Sequence, residues 1–359
     1  MHRIHWMFSV GCWMLVVFHF PFRPMKTEIL STHTPALFAA AVKRASELLC
    51  AGEVVTLPTE TVYGLAANAL DEKAVAKIFQ IKGRPTNNPI IVHVASNEMA
   101  QLCVTKWPAV AEKLSRSFWP GPLTLVLPRA KKIPDNVTAG GATVGVRWPG
   151  HPFMQAVIRE CGFPLAAPSA NLSNQISPTN AEHVRAQLAG KISLIVDGGQ
   201  SQVGIESTVL DLTVSPPRIL RPGMIHAESL AAVAGNIQHP TSNIQHPILR
   251  SPGLLKKHYS PKAKLIVLNW HDDADLSAQL STLNSQLSTC FIIAHAKIPA
   301  GFGAENVSVI PHDAAAFARA LYAELHRCDA AGAKLIVVEA PPDLPEWSGI
   351  ADRLGRAAA

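Results

Sequence analysis

The chain has 359 residues, of which 48% are hydrophobic and 16% are charged. This composition provides enough apolar side chains for folded cores and excludes a disordered chain, and the length favours two domains over one. The net charge of +6 suits anionic small molecules and is too modest to indicate nucleic-acid binding by itself. The six cysteines are widely spaced, which excludes a zinc knuckle or a redox pair and is typical of reduced thiols in a cytoplasmic protein.

The first 24 residues read differently from the rest. Residues 6–20 are mostly apolar, but the stretch is short for a bilayer and no small-residue cleavage site follows it. We expect translation to start at Met25 and residues 1–24 to be a non-native leader. A membrane anchor is the alternative.

Alternating helices and strands follow. Apolar residues at helical spacing predict a helix over 36–51 that ends at Gly52, and a second helix over 71–81, with Asp71 capping its start and Gly83 following its end. Further helical patterns surround Glu112, Met154 and Val184. Strands are predicted at 54–57, 90–94, 123–127, 143–147, 194–196 and 208–212. The alternation predicts an α/β domain over 25–225 with a largely buried open sheet.

Little regular periodicity follows this domain, and residues 226–262 are assigned to a linker or lid. The sequence Asn-Ile-Gln-His-Pro occurs twice there, beginning at Asn236 and at Asn243, and is too short for a structural repeat. Beyond it, predicted strands alternate with helical patterns around Leu280 and Leu321, and these strands cover 265–268, 291–294 and 335–338. A second, smaller α/β domain of Rossmann-like type is therefore expected over 263–359.

Neither domain contains a complete glycine-rich phosphate loop, so the candidate ligand-binding groups are the polar residues at strand ends. The segment 58–64 follows a strand with two hydroxyls, an acid and a glycine, although an ordinary turn would look similar. Lys82 and Arg84 flank a glycine, so both cations can converge on one anion. A solvated surface loop is the common alternative.

Three further positions carry polar groups at or within strands. Arg147 ends an apolar strand, where its charge is costly without an anionic partner such as a bound carboxylate. His93 lies within a predicted strand, where a lone histidine is usually structural. The turn 168–171 and Ser177 offer hydroxyl and amide groups for phosphate, although helix capping is a competing use of Ser177.

The motifs match a known family when they are taken in order. They are P-T-E-T-V-Y-G-L, K-G-R-P, N-P-I-I-V-H-V, W-P-G-P-L-T, V-G-V-R-W-P, P-S-A-N, S-P-T, E-S-T-V and L-R-P-G. Together they resemble the threonylcarbamoyl-AMP synthases of the Sua5/YrdC family, in the longer Sua5 form, over residues 36–261. Beyond Lys262 the segment Asp352-Arg353-Leu354 only echoes the family's ending. Two residues depart from the pattern: Asn174 replaces a glycine, and Lys256 replaces an aromatic or hydrophobic residue.

The resemblance implies a nucleotidyltransferase that forms L-threonylcarbamoyladenylate and pyrophosphate from L-threonine, bicarbonate and ATP, for t6A37 modification of tRNA. Mg²⁺ would be carried by the ATP phosphates, with no metal site in the protein. The expected partners are the small-molecule substrates, the t6A transferase machinery that receives the product, and RNA at low affinity. The expected location is the cytoplasm, without membrane association.

The family's functional residues carry over by motif position. The residues that resemble its threonine-binding set are Thr61, His93, Arg147, Ala167 and Ser207. Those that resemble its ATP-binding set are Arg84, Asn88, Thr143, Ser169, Ser177, Arg221 and Tyr259. The catalytic tetrad that the resemblance implies is Lys82, Arg84, Ser169 and Asn171. This matching changes the interpretation of His93 from structural to threonine binding.

Two rival functions and one structural alternative remain. A hydrogenase-maturation carbamoyltransferase contains a similar domain but is much larger and has zinc-type cysteine pairs, and an RNA-binding module would not depend on ATP. The bunched prolines, Gly253 and Tyr259 lead us to expect residues 251–261 to fold over the ATP site as a lid. An exposed tether is the alternative.

Overall fold

The computed structural model describes residues 26–239, 251–252, 258–282 and 289–359. The strands of the first sheet are β1 (Glu28–Ser31), β2 (Val55–Leu57), β3 (Gly64–Asn68), β4 (Val92–His93), β5 (Leu123–Pro128), β6 (Thr143–Arg147), β7 (Leu165–Ala166), β8 (Leu194–Asp197), β9 (Thr208–Asp211) and β10 (Arg218–Arg221). The accompanying helices are α1 (Pro35–Cys50), α2 (Glu72–Lys82), α3 (Asn97–Leu102), α4 (Ala109–Phe118), α5 (Asp135–Thr138), α6 (Pro152–Cys161), α7 (Ala181–Leu188) and α8 (Ala227–Ala234).

These ten strands form one mixed sheet in the order β1-β8-β2-β3-β7-β4-β6-β5-β9-β10. The pairs β1–β8, β2–β8, β4–β6 and β5–β9 are parallel, and the other neighbours are antiparallel. Helices pack on it through two separate apolar clusters. The predicted α/β class with an open, largely buried sheet is confirmed.

Local signals determine the helix ends. The Asp71 side chain accepts hydrogen bonds from the backbone of Lys73 and Ala74 at the start of α2, and Gly83 ends this helix with φ of +60°. Because a side chain is strained at positive φ, a glycine there terminates a helix at low cost. The predicted caps of α2 are confirmed.

Several elements differ from the sequence expectations, among them the unpredicted edge strands β1 and β10. Strand pairing within 90–94 is limited to Val92–His93, and β3 was not predicted. The expected lack of regular structure after Gly223 is wrong for Ala227–Ala234, which form α8. Leu230 of α8 is fully buried in the first domain's core, so burial of one apolar face stabilises a helix that was too short to stand out by periodicity.

The second sheet is small and wholly parallel. Its strands are β11 (Lys264–Leu268), β12 (Cys290–Ala294), β13 (Val307–Val309) and β14 (Leu335–Glu339), in the order β11-β14-β12-β13. The helices around it are α9 (Asp273–Ser281), α10 (Ala314–Ala330) and α11 (Ser348–Ala357). The predicted Rossmann-like second domain is confirmed.

The two domains share an apolar cluster. Val62, Ile176 and Ile205 of the first domain pack with residues of the second, including Phe317 and Leu321 of α10. Burial of this shared cluster stabilises the docking of the second domain on the loops that follow the first sheet.

Some sequence predictions fall on residues outside the described ranges. These are the leader at 1–24, the second Asn-Ile-Gln-His-Pro copy, Gly253 and Lys256. Within the described ranges no helix is long and apolar enough to cross a membrane. The cysteines of the same ranges are all free thiols.

Candidate active site

Strand register creates the central feature of the site. β4 and β6 are parallel neighbours, and their register places His93 beside Arg147. The loop between β2 and β3 carries Thr59 and Thr61 to the same edge of the sheet. Residues distant in sequence therefore meet where two strands end.

A cavity with about 550 Å³ of empty space, part of it open to solvent, lies at this edge. It is lined by Thr59, Thr61, Val62, Gly64, Arg84, Ile91, His93, Arg147, Ala167, Pro168, Ser169, Glu206, Ser207, Arg221, Pro252, His258 and Tyr259. All five residues of the predicted threonine set are among them, and so are four of the predicted ATP set.

Arg147 forms a fixed corner of the cavity. Its Nη2 pairs with Glu60 Oε1 at 2.6 Å, its Nη1 donates to Thr61 Oγ1 at 2.9 Å, and its Nε donates to the Gly121 carbonyl at 3.1 Å. From the sequence we expected a bound carboxylate as the anionic partner of Arg147, but Glu60 already supplies one. Burial would raise the pKa of Glu60, but Arg147 and backbone hydrogen bonds lower it, so this carboxylate is ionised.

His93 is neutral in this environment. Its side chain is buried, and burial together with the positive charge of Arg147 lowers its pKa to about 3. A neutral imidazole beside a guanidinium can accept or donate one hydrogen bond without adding charge. This corner therefore offers hydrogen-bonding groups without adding net charge to the Arg147–Glu60 pair.

Arg84 and Arg221 give the cavity wall two further buried guanidinium groups. Arg84 donates to the backbone oxygens of Asn88 and Pro89 and to Asn88 Oδ1. Arg221 donates to the Ser207 carbonyl and hydroxyl and to the Pro252 carbonyl. Among the described residues neither has a carboxylate at ion-pair distance. Because buried charges are costly without counter-charge, this wall is suited to an anion.

Lys82 lies behind the cavity wall. Its Nζ donates to the main-chain oxygens of Ser169 and Asn171 and to Asn171 Oδ1. Burial and the neighbouring Arg84 lower its pKa, and Glu206 opposes this shift. Three oxygen acceptors match the three N–H donors of an ammonium group, so Lys82 holds the turn that presents Ser169 to the cavity.

Three predicted ATP residues lie outside the main cavity. Asn88 orients Arg84, and Ser177 donates to Glu206 Oε1 at 2.6 Å. Thr143 lines a second cavity that borders the first at Ile91 and Pro252.

Tyr259 lines the main cavity from the segment that joins the domains. It is buried with φ of +63°, and its ring packs in the shared apolar cluster near Tyr322. The neighbouring His258 also lines the cavity and donates its backbone N–H to the Arg356 carbonyl. These residues place part of the predicted lid at the site.

Asn174, which replaces a family glycine, adopts φ of +66°. Its carbonyl accepts a hydrogen bond from the Ser260 backbone. Asparagine tolerates this left-handed region better than most residues, so the departure keeps the turn that receives the joining segment.

Several residues of the site had no role assigned from the sequence. Glu60 and Glu206 each directly precede a residue of the predicted threonine-binding set, Thr61 and Ser207. That position next to a predicted binding residue was the only sequence feature that pointed to these two acids. Arg353 lies 2.7 Å from Glu206, although the two residues are 147 positions apart in the sequence. No local pattern can indicate such a contact, and the only sequence feature at Arg353 was its place in the segment that resembles the family's ending.

Comparison with known proteins places the chain among named relatives. Residues 47–223 match the Sua5/YciO/YrdC family profile, described as "Telomere recombination", and residues 225–359 match the "Threonylcarbamoyl-AMP synthase, C-terminal domain" profile. The threonylcarbamoyl-AMP synthase of Pyrococcus abyssi is 38% identical over 88% of this chain and 93% of its own length. That of Bacillus subtilis is 47% identical over 67% of this chain and 69% of its own length.

A solved structure extends the similarity to three dimensions. The crystal structure of P. abyssi Sua5 complexed with L-threonine superposes with a TM-score of 0.85 at 36% identity. The match covers 92% of this chain and 98% of that one, so it includes both domains.

Proposed function

The chain belongs to the Sua5/YrdC family of threonylcarbamoyl-AMP synthases, enzymes of nucleotidyltransferase type, and we propose that it converts L-threonine, bicarbonate and ATP into L-threonylcarbamoyladenylate and pyrophosphate. The observation that carries this proposal is the pair of buried guanidinium groups, Arg84 and Arg221, without carboxylate partners among the described residues, in the same cavity as the His93–Arg147 corner.

L-Threonine binds in the corner of the cavity in this proposal. Arg147 retains N–H groups beyond its three protein contacts, so it can donate to the substrate carboxylate while Glu60 remains paired. Thr61, Ser207 and neutral His93 provide hydrogen-bonding groups for the substrate's polar atoms, and the main chain at Ala167 closes the corner. L-Threonine is present in the related P. abyssi structure.

The ATP phosphates lie along the wall that Arg84 and Arg221 form. Arg84 and Arg221 supply charge, and Ser169 supplies a hydroxyl on the turn that Lys82 and Asn171 fix. The adenosine is assigned to the adjoining cavity with Thr143, whose walls include Val126, Val137, Val144 and Val209. Tyr259 bounds the phosphate side.

The transfer step needs positioning and charge stabilisation more than acid–base groups. The amine of L-threonine and bicarbonate first give threonylcarbamate with loss of water, and a carbamate oxygen then attacks the α-phosphorus of ATP. The new P–O bond forms as the bond to the bridging α–β oxygen breaks, and pyrophosphate leaves with that electron pair. Arg84 and Arg221 stabilise the negative charge that moves to the leaving group.

The magnesium ion belongs to the MgATP substrate in this scheme. Glu206, which lines the cavity, and Glu60, which lies behind Arg147, are each paired with an arginine. Within the described ranges no group of three or more His, Cys, Asp or Glu side chains could hold a metal ion. The phosphate oxygens would therefore supply most of the ligands.

Pyrophosphate release from purified protein tests the proposal, with L-threonine and bicarbonate omitted in turn and the nucleotide product identified by mass spectrometry. Release that requires all three substrates is expected. Release without threonine, or RNA binding without any release, would contradict it.

We further propose that the product passes to the t6A transferase machinery, with RNA bound only weakly. Expression of this chain in cells that lack their own synthase should restore t6A37 in tRNA. Active enzyme that leaves tRNA unmodified would refute this cellular role.

A further inference from the structure

Arg353, a buried residue of α11 in the second domain, contacts the wall of the cavity. Arg353 Nε donates to Glu206 Oε2 at 2.7 Å, its Nη2 to the Glu206 carbonyl at 3.1 Å, and its Nη1 to the Pro222 carbonyl at 2.9 Å. Glu206 lines the cavity, and Pro222 follows Arg221 directly. One guanidinium group therefore joins two first-domain segments that carry the ATP site proposed above.

Other side chains complete this arrangement. Tyr322 of α10 donates its hydroxyl to Glu206 Oε2 at 3.0 Å. The Arg353 guanidinium lies 5.3 Å from the centroid of the Tyr259 ring, a geometry in which the cation is attracted by the ring face. Arg353 thus contacts both the wall of the cavity and the segment that closes it.

The Glu206 carboxylate is charged. Burial would raise its pKa, but Arg353, Arg221 and the hydrogen bond from Ser177 hold it at about 2. The negative charge lies on the wall assigned to the ATP phosphates. Without Arg353, this carboxylate would lose its ion-pair partner and would repel the polyphosphate.

The backbone approaches closely at the same interface. A Cβ atom on Gly349, at the start of α11, would lie 2.9 Å from the backbone of Gly223, and one on Gly204 would overlap the Ala318 carbonyl. Only glycine allows such contacts. Helices α10 and α11 therefore pack directly against the first-domain loops that contain Gly204 and Gly223, next to the cavity residues.

We propose that Arg353 is a positioning residue of the ATP site, through which the second domain completes an active site otherwise built by the first. It neutralises Glu206 and holds the Glu206–Ser207 and Arg221–Pro222 segments, so that Arg221 faces the phosphates. This inference rests on the proposed function for the identity of the nucleotide.

The test measures ATP binding by titration calorimetry and turnover by pyrophosphate release. Arg353→Met should raise the ATP dissociation constant about tenfold or more and lower kcat, because a charge at the phosphate wall is left uncompensated. The KM for L-threonine should rise by a smaller factor than the ATP dissociation constant, because Ser207 alone of the proposed threonine-binding residues lies in the segment that Arg353 holds.

A second substitution separates charge positioning from domain docking. Glu206→Gln in the Arg353→Met background removes the uncompensated carboxylate and should recover most of the lost ATP affinity. The matched control is Arg319→Met, because Arg319 of α10 also contacts the first domain, at the Gln202 carbonyl, but does not line the cavity. It should bind ATP as the wild type does.

Three results would overturn the proposal. They are wild-type ATP affinity in Arg353→Met, equal losses in Arg353→Met and Arg319→Met, and no recovery with Glu206→Gln. If Arg353→Met fails to fold, Arg353→Lys replaces it in the test. Lysine keeps the charge but cannot reach the Glu206 carboxylate and both first-domain carbonyls at once. Wild-type kcat and ATP affinity in Arg353→Lys would also refute the role. Calorimetry needs no turnover, so wild-type protein that binds ATP without threonine-dependent release contradicts only the proposed function.

Discussion

Arg147→Lys is the most direct test of the threonine corner. The Arg147 fork reaches a carbonyl, a hydroxyl and a carboxylate through three different nitrogens. A lysine keeps the positive charge and can retain the Glu60 pair. Its single nitrogen cannot also hold Thr61 and donate two parallel hydrogen bonds to a substrate carboxylate.

The expected magnitude follows from the hydrogen bonds that the substitution removes. A hydrogen bond to a charged group contributes about 1.5–3 kcal/mol. Loss of one such bond to the threonine carboxylate should therefore raise the dissociation constant for L-threonine about 10- to 150-fold. Because the hydrogen bonds of Arg147 involve neither Arg84 nor Arg221, affinity for ATP should change far less.

Calorimetric titration with L-threonine, in the presence and absence of ATP, measures this effect. Arg129→Lys is the matched control, since Arg129 also pairs with an acid, Asp135, and a carbonyl, that of Ile133, in the first domain but does not line the cavity. Wild-type threonine affinity in Arg147→Lys, or the same loss in Arg129→Lys, would refute the reasoning.

The remaining predictions use other parts of the site. Lys82→Ala removes the donors that fix the Ser169 turn, so kcat should fall about a hundredfold or more with the thermal unfolding transition retained; an effect on threonine affinity alone would contradict this role. Tyr259→Ala should weaken ATP binding in calorimetry. A chain truncated after His239, which keeps Leu230 of α8 in the first core, should remain folded with poor turnover; a truncated chain as active as the full one would end the lid hypothesis. Folding lowers the pKa of His93 from 6.5 to about 3, so the folded state disfavours the protonated imidazole. The free energy of unfolding therefore keeps the full contribution of His93 above pH 6.5 and loses about 1.4 kcal/mol per pH unit as the pH falls from 6.5 towards 3. Urea unfolding of His93→Asn should therefore show a shallower loss of stability between pH 6 and 4.5, and an unchanged slope would argue against a buried neutral imidazole.

Much of the fold was readable from local sequence signals. The caps of α2, Asp71 and Gly83, lie beside the turns that they stabilise, and β6 is an apolar run of its own. Asn174, at a family glycine position, adopts the left-handed conformation that asparagine tolerates better than most residues. Such features arise from interactions between residues a few positions apart, so they can be predicted from a short stretch of sequence.

Long-range pairing decided the rest. β3 has the sequence Gly-Leu-Ala-Ala-Asn, which has little intrinsic preference for a strand, yet it is held between β2 and β7 by antiparallel hydrogen bonds. Strand register alone sets His93 beside Arg147, and the short helix α8 forms because Leu230 is buried in the first core.

The site shows the same division. The sequence by itself indicated the residue types that surround the cavity, because the order of its motifs matches a family whose binding residues lie at those motif positions. The partners that set their charge states, Glu60 for Arg147 and Arg353 for Glu206, were decided by tertiary structure. Arg353 and Glu206 are 147 residues apart in the sequence, and only the docking of the second domain brings their charges to hydrogen-bonding distance. Because both charges are buried there, neither would be stable without the other.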